Sequence, residues 1–176
     1  MRETSETEFA EFFSATWPRL FRTALAMTGD VGQAEDALQS AYAKAYASWG
    51  RIRGADHPEA YVRRMAVNEV LGVRRRGWWR SERAHTTPAP PEPPPAGRAP
   101  TERLADRDEM WTALLALPPR QRAVLVLRYY EDLSEQQIAA ALGCSVGTVK
   151  SQASAALTSL RRRHAAGSVS FEEGRR

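Results

Sequence analysis

The chain has 176 residues, a formal net charge of +4 and 26% charged residues. This length allows one medium domain or two small ones. Because Cys144 is the only cysteine, no internal disulfide can form, which fits a reducing compartment. No run of about eighteen apolar residues occurs, and the N-terminus is acidic where a signal peptide is basic. We therefore predict a soluble, cytoplasmic protein with no membrane segment.

Two amphipathic helices are predicted at the start of the chain. Aromatic and aliphatic residues recur three and four apart over Ser5–Thr28, which is the helical period. Pro18 interrupts this pattern and is expected to end or kink the helix, because proline removes a backbone donor. Asp30 can N-cap a second helix over about residues 31–48. The side chains predicted to face inward from that helix are Ala34, Leu38, Ala41, Tyr42 and Ala45.

The third predicted helix, from Pro58 to about Arg76, is strongly basic. Proline suits the first turn of a helix. Seven arginines lie between Arg63 and Arg83, against two glutamates. Such a stripe favours binding to nucleic acid or to an acidic protein face, and the alternative is a solvated basic helix end. The side chains on the predicted apolar stripe are Tyr61, Val62, Met65, Val70 and Val73.

A change of composition divides the chain. Residues 84–103 contain seven prolines, which is typical of an extended, semi-rigid linker. We predict a first domain over residues 1–83, a second over residues 104–166 and a frayed tail over residues 167–176. Because no strand pattern occurs anywhere, the predicted fold class is all-α, with two small helical domains joined by a Pro-rich linker.

The second domain begins with two predicted helices and continues into a helix-turn-helix. The first helix covers about residues 104–117, and Pro118 and Pro119 separate it from a second over residues 120–130. Ser134 and Gln137 then have the spacing of a capping box. Gly143 follows the next apolar stripe, at the point where the chain must turn with a positive φ.

The second helix of this motif carries polar residues on its outer face. Ser145 can cap it and Val149 is expected to face the core. One cation and several hydroxyls suit a DNA major groove, because lysine reaches phosphate or guanine and serine can bond either partner of a pair. The alternative is an ordinary packed helical hairpin. The residues predicted to face DNA are Thr148, Lys150, Ser151 and Ser154.

The sequence offers little support for catalysis. The three histidines are scattered, no Cys/His spacing predicts a metal site, and no glycine-rich phosphate loop or Ser/His/Asp set occurs. We therefore predict no catalytic residue, no metal and no cofactor. Two other classes of protein remain open from the residues alone. One is a stand-alone helix-turn-helix regulator, and the other is a DNA recombinase with Tyr61 as its nucleophile.

Short stretches in both predicted domains carry a resemblance to a known family. Residues 34–42 read AEDALQSAY, residues 58–68 read PEAYVRRMAVN before three arginines, and the second domain contains LPPRQR and GTVKS. In this order, separated by a linker, they resemble an extracytoplasmic-function (ECF) RNA polymerase sigma factor of the sigma-70 family. The resemblance covers about residues 8–83 and 104–163, as a sigma-2-like and a sigma-4-like domain.

The resemblance implies a division of labour and three partners: core RNA polymerase, promoter DNA and an anti-sigma factor. Glu35, Asp36 and Gln39 would bind the polymerase. The loop from Ile52 to His57 would hold a flipped base of the −10 element, next to Asn68. The implied −10 contacts are Ile52, Arg53, His57, Arg63, Arg64, Asn68, Arg74, Arg75 and Arg76. The implied −35 contacts are Thr148, Lys150, Ser151 and Ser154.

Two positions depart from the pattern of the family. Many relatives carry arginine at the position of Ala155, so the −35 contact is expected to be thinner or to prefer another sequence. Ile52 is aliphatic where an aromatic residue is common, which is expected to change the base pocket.

Overall fold

A computed structural model of the chain describes residues 2–77 and 109–172, called here the N-terminal half and the C-terminal half. Within these ranges it contains helices and turns and no strand, which confirms the all-α class. The N-terminal half consists of α1 (Arg2–Thr28), α2 (Val31–Ala47), α3 (Trp49–Ile52) and α4 (Pro58–Gly77). The C-terminal half consists of α5 (residues 109–115), α6 (Pro119–Leu125), a π-helical turn (Val126–Tyr130), α7 (Glu135–Leu142) and α8 (Val146–Glu172). The predicted linker, residues 84–103, lies outside the described residues.

Helix α1 continues through Pro18, so of the two predicted outcomes, an end or a kink, the end does not occur. A proline in a helix interior costs about 3 kcal/mol. Aromatic packing on both sides of it offsets this cost. The ring centroids of Phe13 and Trp17 lie 4.8 and 5.5 Å from that of Tyr42 in α2, and Trp17 stacks on Phe21 beyond the proline.

Helix α2 lies at the centre of the N-terminal half, between α1 and α4. Its predicted cap is confirmed, because Asp30 Oδ1 accepts a hydrogen bond from Gln33 N at 2.7 Å. The five residues predicted to face inward are all buried. Among them, the Tyr42 hydroxyl lies 2.7 Å from the Thr16 hydroxyl. Burial raises the pKa of Tyr42 above its usual value of 10.0.

The buried stripe of α4 keeps Val62 and Val70 from the predicted stripe and takes in Ala66 in place of the half-buried Met65. Val62, Ala66 and Val70 are almost fully buried at a spacing of four. Tyr61 is 44% exposed, so the prediction that it faces inward is wrong. One residue turns a helix by about 100°, and Tyr61 therefore lies at the edge of the stripe and not on it.

The structure confirms the predicted helix-turn-helix. The Ser134 side chain accepts from Gln137 N at 3.3 Å, and the Gln137 side chain accepts from Ser134 N at 2.9 Å. Gly143 ends α7 with a φ of 62°, which a side chain would strain. Ile138 of α7 and Val149 of α8 are both fully buried where the two helices meet.

Helix α8 begins at the predicted cap and ends later than predicted. Ser145 Oγ accepts from Thr148 N at 3.1 Å. The helix then runs to Glu172. Residues 167–172, which the sequence predicts as a frayed tail, continue it as helix.

The two halves pack on each other and share one core, an arrangement called here the closed arrangement. Helix α4 contacts α7, and α1 contacts α6 and the π-helical turn. The buried Arg122 guanidinium of α6 donates to the Met27 carbonyl at the end of α1 at 2.9 Å. Gly29 lies so close to α5 that a Cβ there would stand 2.5 Å from Leu115 Cδ2.

Candidate polymerase and DNA interfaces

The outer face of α2 is polar and open. Glu35, Asp36 and Gln39 are all exposed, because the opposite face of the helix fills the core. Farther along the helix, Lys44 forms an ion pair with Glu69 of α4 and thereby holds the two helices together at the surface. The face thus offers two carboxylates and an amide, a set of groups that can bind a basic or polar protein surface.

The connection between α3 and α4 separates exposed polar residues from a buried aliphatic one. Arg53 and His57 are exposed, and Arg53 Nη1 pairs with Glu8 Oε2 at 2.8 Å. Ile52 is only 1% exposed and belongs to the core of the N-terminal half. Its burial removes Ile52 from the residues that can touch DNA in this arrangement, contrary to the expectation from the sequence. A short helix at this position turned the side chain inward, which the expectation of an open loop did not include.

Helix α4 presents some of its predicted DNA contacts and covers another. Arg64 and Asn68 are exposed and lie one helical turn apart on the same face. Arg63 is only 9% exposed. Its guanidinium pairs with Glu59 at 3.0 Å and with Glu131 of the C-terminal half at 3.3 Å. The expectation that Arg63 is free to hold a phosphate therefore fails in the closed arrangement.

The three arginines near the end of α4, Arg74, Arg75 and Arg76, are helical in backbone. Their side chains lie outside the described residues. The predicted roles of these arginines stay predictions.

The recognition face of α8 is exposed where the sequence predicts it. Lys150, Ser151 and Ser154 face solvent together with Ala155. Thr148 is half-buried, and its hydroxyl lies 2.9 Å from that of Ser145. Ser151 donates to the Thr148 carbonyl at 2.9 Å. Among the four predicted contacts on α8, Lys150 is the one charged residue, and its side chain is exposed.

A groove of about 280 Å³ adjoins this face and brings together cations from two elements. Arg128 comes from the π-helical turn, whereas Lys150 and Arg161 come from α8. Glu135 of α7 lies between two of them, 3.3 Å from Arg128 and 3.7 Å from Lys150. The Arg128 guanidinium lies 5.9 Å from the centre of the exposed Tyr129 ring.

Sequence reasoning missed Arg128 and Tyr129 because they precede the helix-turn-helix and meet it only in three dimensions. Arg161, which lies farther along α8, was not among the predicted contacts either. The one sequence feature that could have indicated them is the presence of arginines both before and after the helix-turn-helix.

Among the described residues, no group of three histidine, cysteine, aspartate or glutamate side chains is arranged to hold a metal ion. In the same residues, no helix is both long and apolar enough to cross a membrane.

Comparison with known proteins assigns the family. The family model for sigma-70 region 2 matches residues 12–80, and the model for sigma-70 region 4 matches residues 107–160. The RNA polymerase sigma-E factor of Streptomyces coelicolor is 38% identical over 154 residues, which cover 88% of this chain and 84% of that protein. The chain belongs to the sigma-70 family. The ECF RNA polymerase sigma factor SigL of Mycobacterium tuberculosis is 35% identical over 147 residues, covering 81% of this sigma factor and 80% of SigL.

Two solved structures share the fold of this sigma factor. One is the sigma factor RpoE in complex with the anti-sigma factor NepR from Bartonella quintana, with a TM-score of 0.71 and 24% identity, covering 89% of this chain and 96% of that one. The other is CnrH in complex with the cytosolic domain of CnrY, with a TM-score of 0.60 and 19% identity, covering 92% and 90%. A stand-alone helix-turn-helix regulator is not favoured, because region 2 accounts for the N-terminal half.

Proposed function

We propose that this sigma factor binds core RNA polymerase and directs it to promoters, with the two halves dividing the work. Residues 1–83 would bind the polymerase and open the −10 element, residues 84–103 would connect the domains, and residues 104–166 would read the −35 element. The observation that supports this most is the exposed recognition face with its cationic groove, in a chain that also carries region 2. As sigma factors of this family bind polymerase and promoter DNA, the site of action would be the cytoplasm.

For polymerase binding, we propose the outer face of α2. Glu35, Asp36 and Gln39 are exposed on one rigid helix whose other face is fixed in the core. A helix held in this way loses little freedom on docking, so its side chains can contribute to affinity. The partner surface should be basic.

For the −10 element, we propose that a base leaves the DNA stack and is held next to α4. A base must leave the stack before its pairing edge can be read. Asn68 can offer one donor and one acceptor to such an edge, and Arg53, His57 and Arg64 are exposed nearby in sequence for phosphates. Arg74, Arg75 and Arg76 would extend this phosphate track. Ile52 would support the loop from inside the core.

For the −35 element, we propose the outer face of α8 with its groove. Lys150 and Ser151 would meet base edges, with Thr148 and Ser154 beside them. Arg128 and Arg161 would add phosphate contacts, which position a protein without reading sequence. Ala155 would offer a methyl group that can contact the methyl of a thymine, where many relatives place a cation.

We also propose that an anti-sigma factor controls this protein. Both of the similar solved structures contain a second protein, and in the complex from Bartonella quintana that protein is the anti-sigma factor NepR. No catalytic residue, metal or cofactor is assigned to the chain. The activity is binding that changes which DNA the polymerase recognises.

Run-off transcription with core RNA polymerase and a genomic promoter library tests the proposal. The expected result is a defined set of start sites that requires this protein. Folded protein that yields no start site in a broad library would refute the proposal. Tight binding to duplex DNA in a gel shift without polymerase would instead indicate a stand-alone regulator.

A further inference from the structure

A buried carboxylate of the C-terminal half finds its partners in the N-terminal half. Glu131 follows the π-helical turn, and its side chain is 0% exposed. Its Oε2 atom lies 3.0 Å from Arg19 Nη2 and 3.3 Å from Arg63 Nε. The Thr23 hydroxyl donates to the other carboxylate oxygen. A buried charge without partners is very costly, so Glu131 can occupy this position only while the halves are together.

The backbone is bent at the position that presents this carboxylate. The Glu131 N–H bonds to the Val126 carbonyl at 3.2 Å, which is the wider π-helical spacing. Asp132 follows with a φ of 54°, the one positive φ outside glycine among the described residues. A residue in this region costs on the order of 1–3 kcal/mol and persists where its surroundings enforce it. The contacts of the neighbouring Glu131 with the N-terminal half can hold Asp132 in this backbone conformation.

The N-terminal half on its own holds an excess of positive charge at this point. Glu59 pairs with Arg19 at 3.2 Å and with Arg63 at 3.0 Å, so two cations share one anion. Glu131 supplies the missing negative charge. Without it, two guanidiniums and the Thr23 hydroxyl would form a site for an anion. Guanidiniums are the groups that proteins prefer for binding phosphate.

The contact is also suited to being broken. Arg63 Nε and Glu131 Oε2 are close, but neither atom makes a hydrogen bond of good geometry within the described residues. Buried ion pairs often contribute little net stability, because desolvation offsets the attraction. Promoter elements one to two duplex turns apart lie on the order of 35–70 Å from each other. Two halves packed on each other cannot span that distance, so the contact must open on promoter DNA.

We propose that Glu131 is a latch that holds the sigma factor closed by occupying an anion site formed by Arg19, Thr23 and Arg63. When the halves separate, a phosphate of DNA takes the place of the carboxylate. The protein alone is thereby kept from using Arg63 on DNA. The phosphate step rests on the proposed function, whereas the latch itself does not.

Fluorescence energy transfer between the halves tests the latch. Dyes are placed on the exposed positions of Ala43→Cys and Arg162→Cys in a Cys144→Ser background. Glu131→Gln keeps the shape and removes the charge, and we expect at least a twofold rise in the open, low-transfer population. Glu59→Gln is the matched control, because it removes a carboxylate from the same two arginines without touching the interface. It should stay as closed as the parent.

A second variant guards against loss of folding. If Glu131→Gln loses helical circular dichroism, Arg19→Gln replaces it, because Arg19 is nearly half exposed and its loss is milder. Arg19→Gln also breaks the ion pair between Arg19 and Glu59, and Glu59→Gln is again the control for that loss. Equal transfer in the parent and the latch variant, or equal opening in Glu59→Gln, would overturn the latch.

Binding to random-sequence single-stranded DNA tests the phosphate step. Each additional phosphate contact steepens the slope of log affinity against log salt by about 0.7. We expect Glu131→Gln to bind several-fold more tightly at low salt with a slope steeper by about one contact, and Arg63→Gln in that background to abolish the gain. An open variant with an unchanged slope would overturn the phosphate exchange. Energy transfer is measured without polymerase, so failure of run-off transcription by the parent protein would count against the proposed function and leave the latch standing.

Discussion

Helices α4 and α8 both carry cations on faces proposed to meet DNA, but they present them differently. On α8, the Lys150 side chain is 64% exposed and its pair with Glu135 spans 3.7 Å at the surface. On α4, the Arg63 side chain is 11% exposed and lies between Glu59 and the buried Glu131. An exposed ion pair is worth at most about 1 kcal/mol and can give way to a phosphate. A covered one is released only when the surface above it moves away.

The comparison shows that access of DNA to a basic side chain can be limited in two ways. Lys150 of α8 competes only for one exposed neighbouring carboxylate, that of Glu135. Arg63 near the start of α4 depends on a movement of the whole C-terminal half, whereas its neighbour Arg64 is exposed. The proposed −35 surface is therefore ready in the closed arrangement, whereas the proposed −10 surface is incomplete.

The largest effect is expected from Asn68→Ala, which tests the exposed part of the α4 surface. A good base-edge contact is worth about 1–3 kcal/mol, or roughly 5- to 150-fold in affinity. Because the contact forms only after the base leaves the stack, transcription from fully paired templates should fall strongly. A template with the −10 region opened as a mismatched bubble should recover part of the loss.

Arg64→Ala on the same face of α4 is the control for this comparison. A phosphate contact contributes on both templates, so its mutant-to-parent ratio should be similar on paired and bubble DNA. Equal ratios for Asn68→Ala on the two templates would rule out the flipped-base role.

Next in size is Gly29→Ala, which tests the interface that covers α4. The positive φ of Gly29 costs a side chain roughly 1–2 kcal/mol, and the new Cβ would meet Leu115 across the interface. We expect a lower free energy of unfolding and a larger open population by energy transfer. Leu115→Ala should relieve the contact, so the double variant should be less destabilised than the sum of the two single variants. Strict additivity would mean that the two residues do not meet.

A smaller effect is expected from Lys150→Ala on the exposed α8 surface. A single lysine contact should contribute about 1 kcal/mol or less, seen as weaker use of promoters that depend on the −35 element. Glu135→Gln should act in the opposite direction, because it releases both Lys150 and Arg128 to bind phosphate. Promoters that differ only in their −35 element provide the measurement. If both variants use them as the parent does, another face of α8 reads the element.

The smallest effect on promoter use is expected from Tyr42→Phe, which changes stability alone and tests the core behind both surfaces. It removes one hydroxyl contact, worth about 0.5–1.5 kcal/mol, and Thr16 keeps its bond to the Phe12 carbonyl. Because burial raises the pKa of Tyr42 above 10.0, the unfolded chain ionises first as the pH rises past 10. The free energy of unfolding should therefore fall with pH above 10, and less steeply in the variant. Urea denaturation at pH 7 and pH 11 measures both slopes, and equal slopes would contradict the assignment.

Local rules in the sequence predicted the helix-turn-helix well. The capping box of Ser134, the turn at Gly143 and the buried Val149 depend on neighbours a few residues away, and the structure confirms all three. The exposed positions of Lys150 and Asn68 follow from the same periodicity. Their roles on DNA stay proposals.

Features that depend on contacts distant in sequence were not predictable in this way. Helix α1 passes through Pro18, where Phe13 and Trp17 pack on Tyr42 of α2 and Trp17 stacks on Phe21 beyond the proline. Ile52 is buried because a short helix turns it inward. The cover over Arg63 comes from Glu131, a residue from the other half of the chain. No periodicity or motif in a single sequence encodes such a pairing.

The π-helical turn over Val126–Tyr130 also sets the rotation, about the helix axis, at which the following chain leaves it. An α-helix advances about 100° per residue, and the wider turn accommodates one residue more than an α-helical turn would. Deleting a single residue here would restore an ordinary helix and rotate the following chain by about that angle. The recognition helix would keep its own packing against α7 and yet point in a new direction relative to the first half of the molecule. One residue of length in this turn therefore fixes the orientation of the helix-turn-helix relative to the N-terminal half.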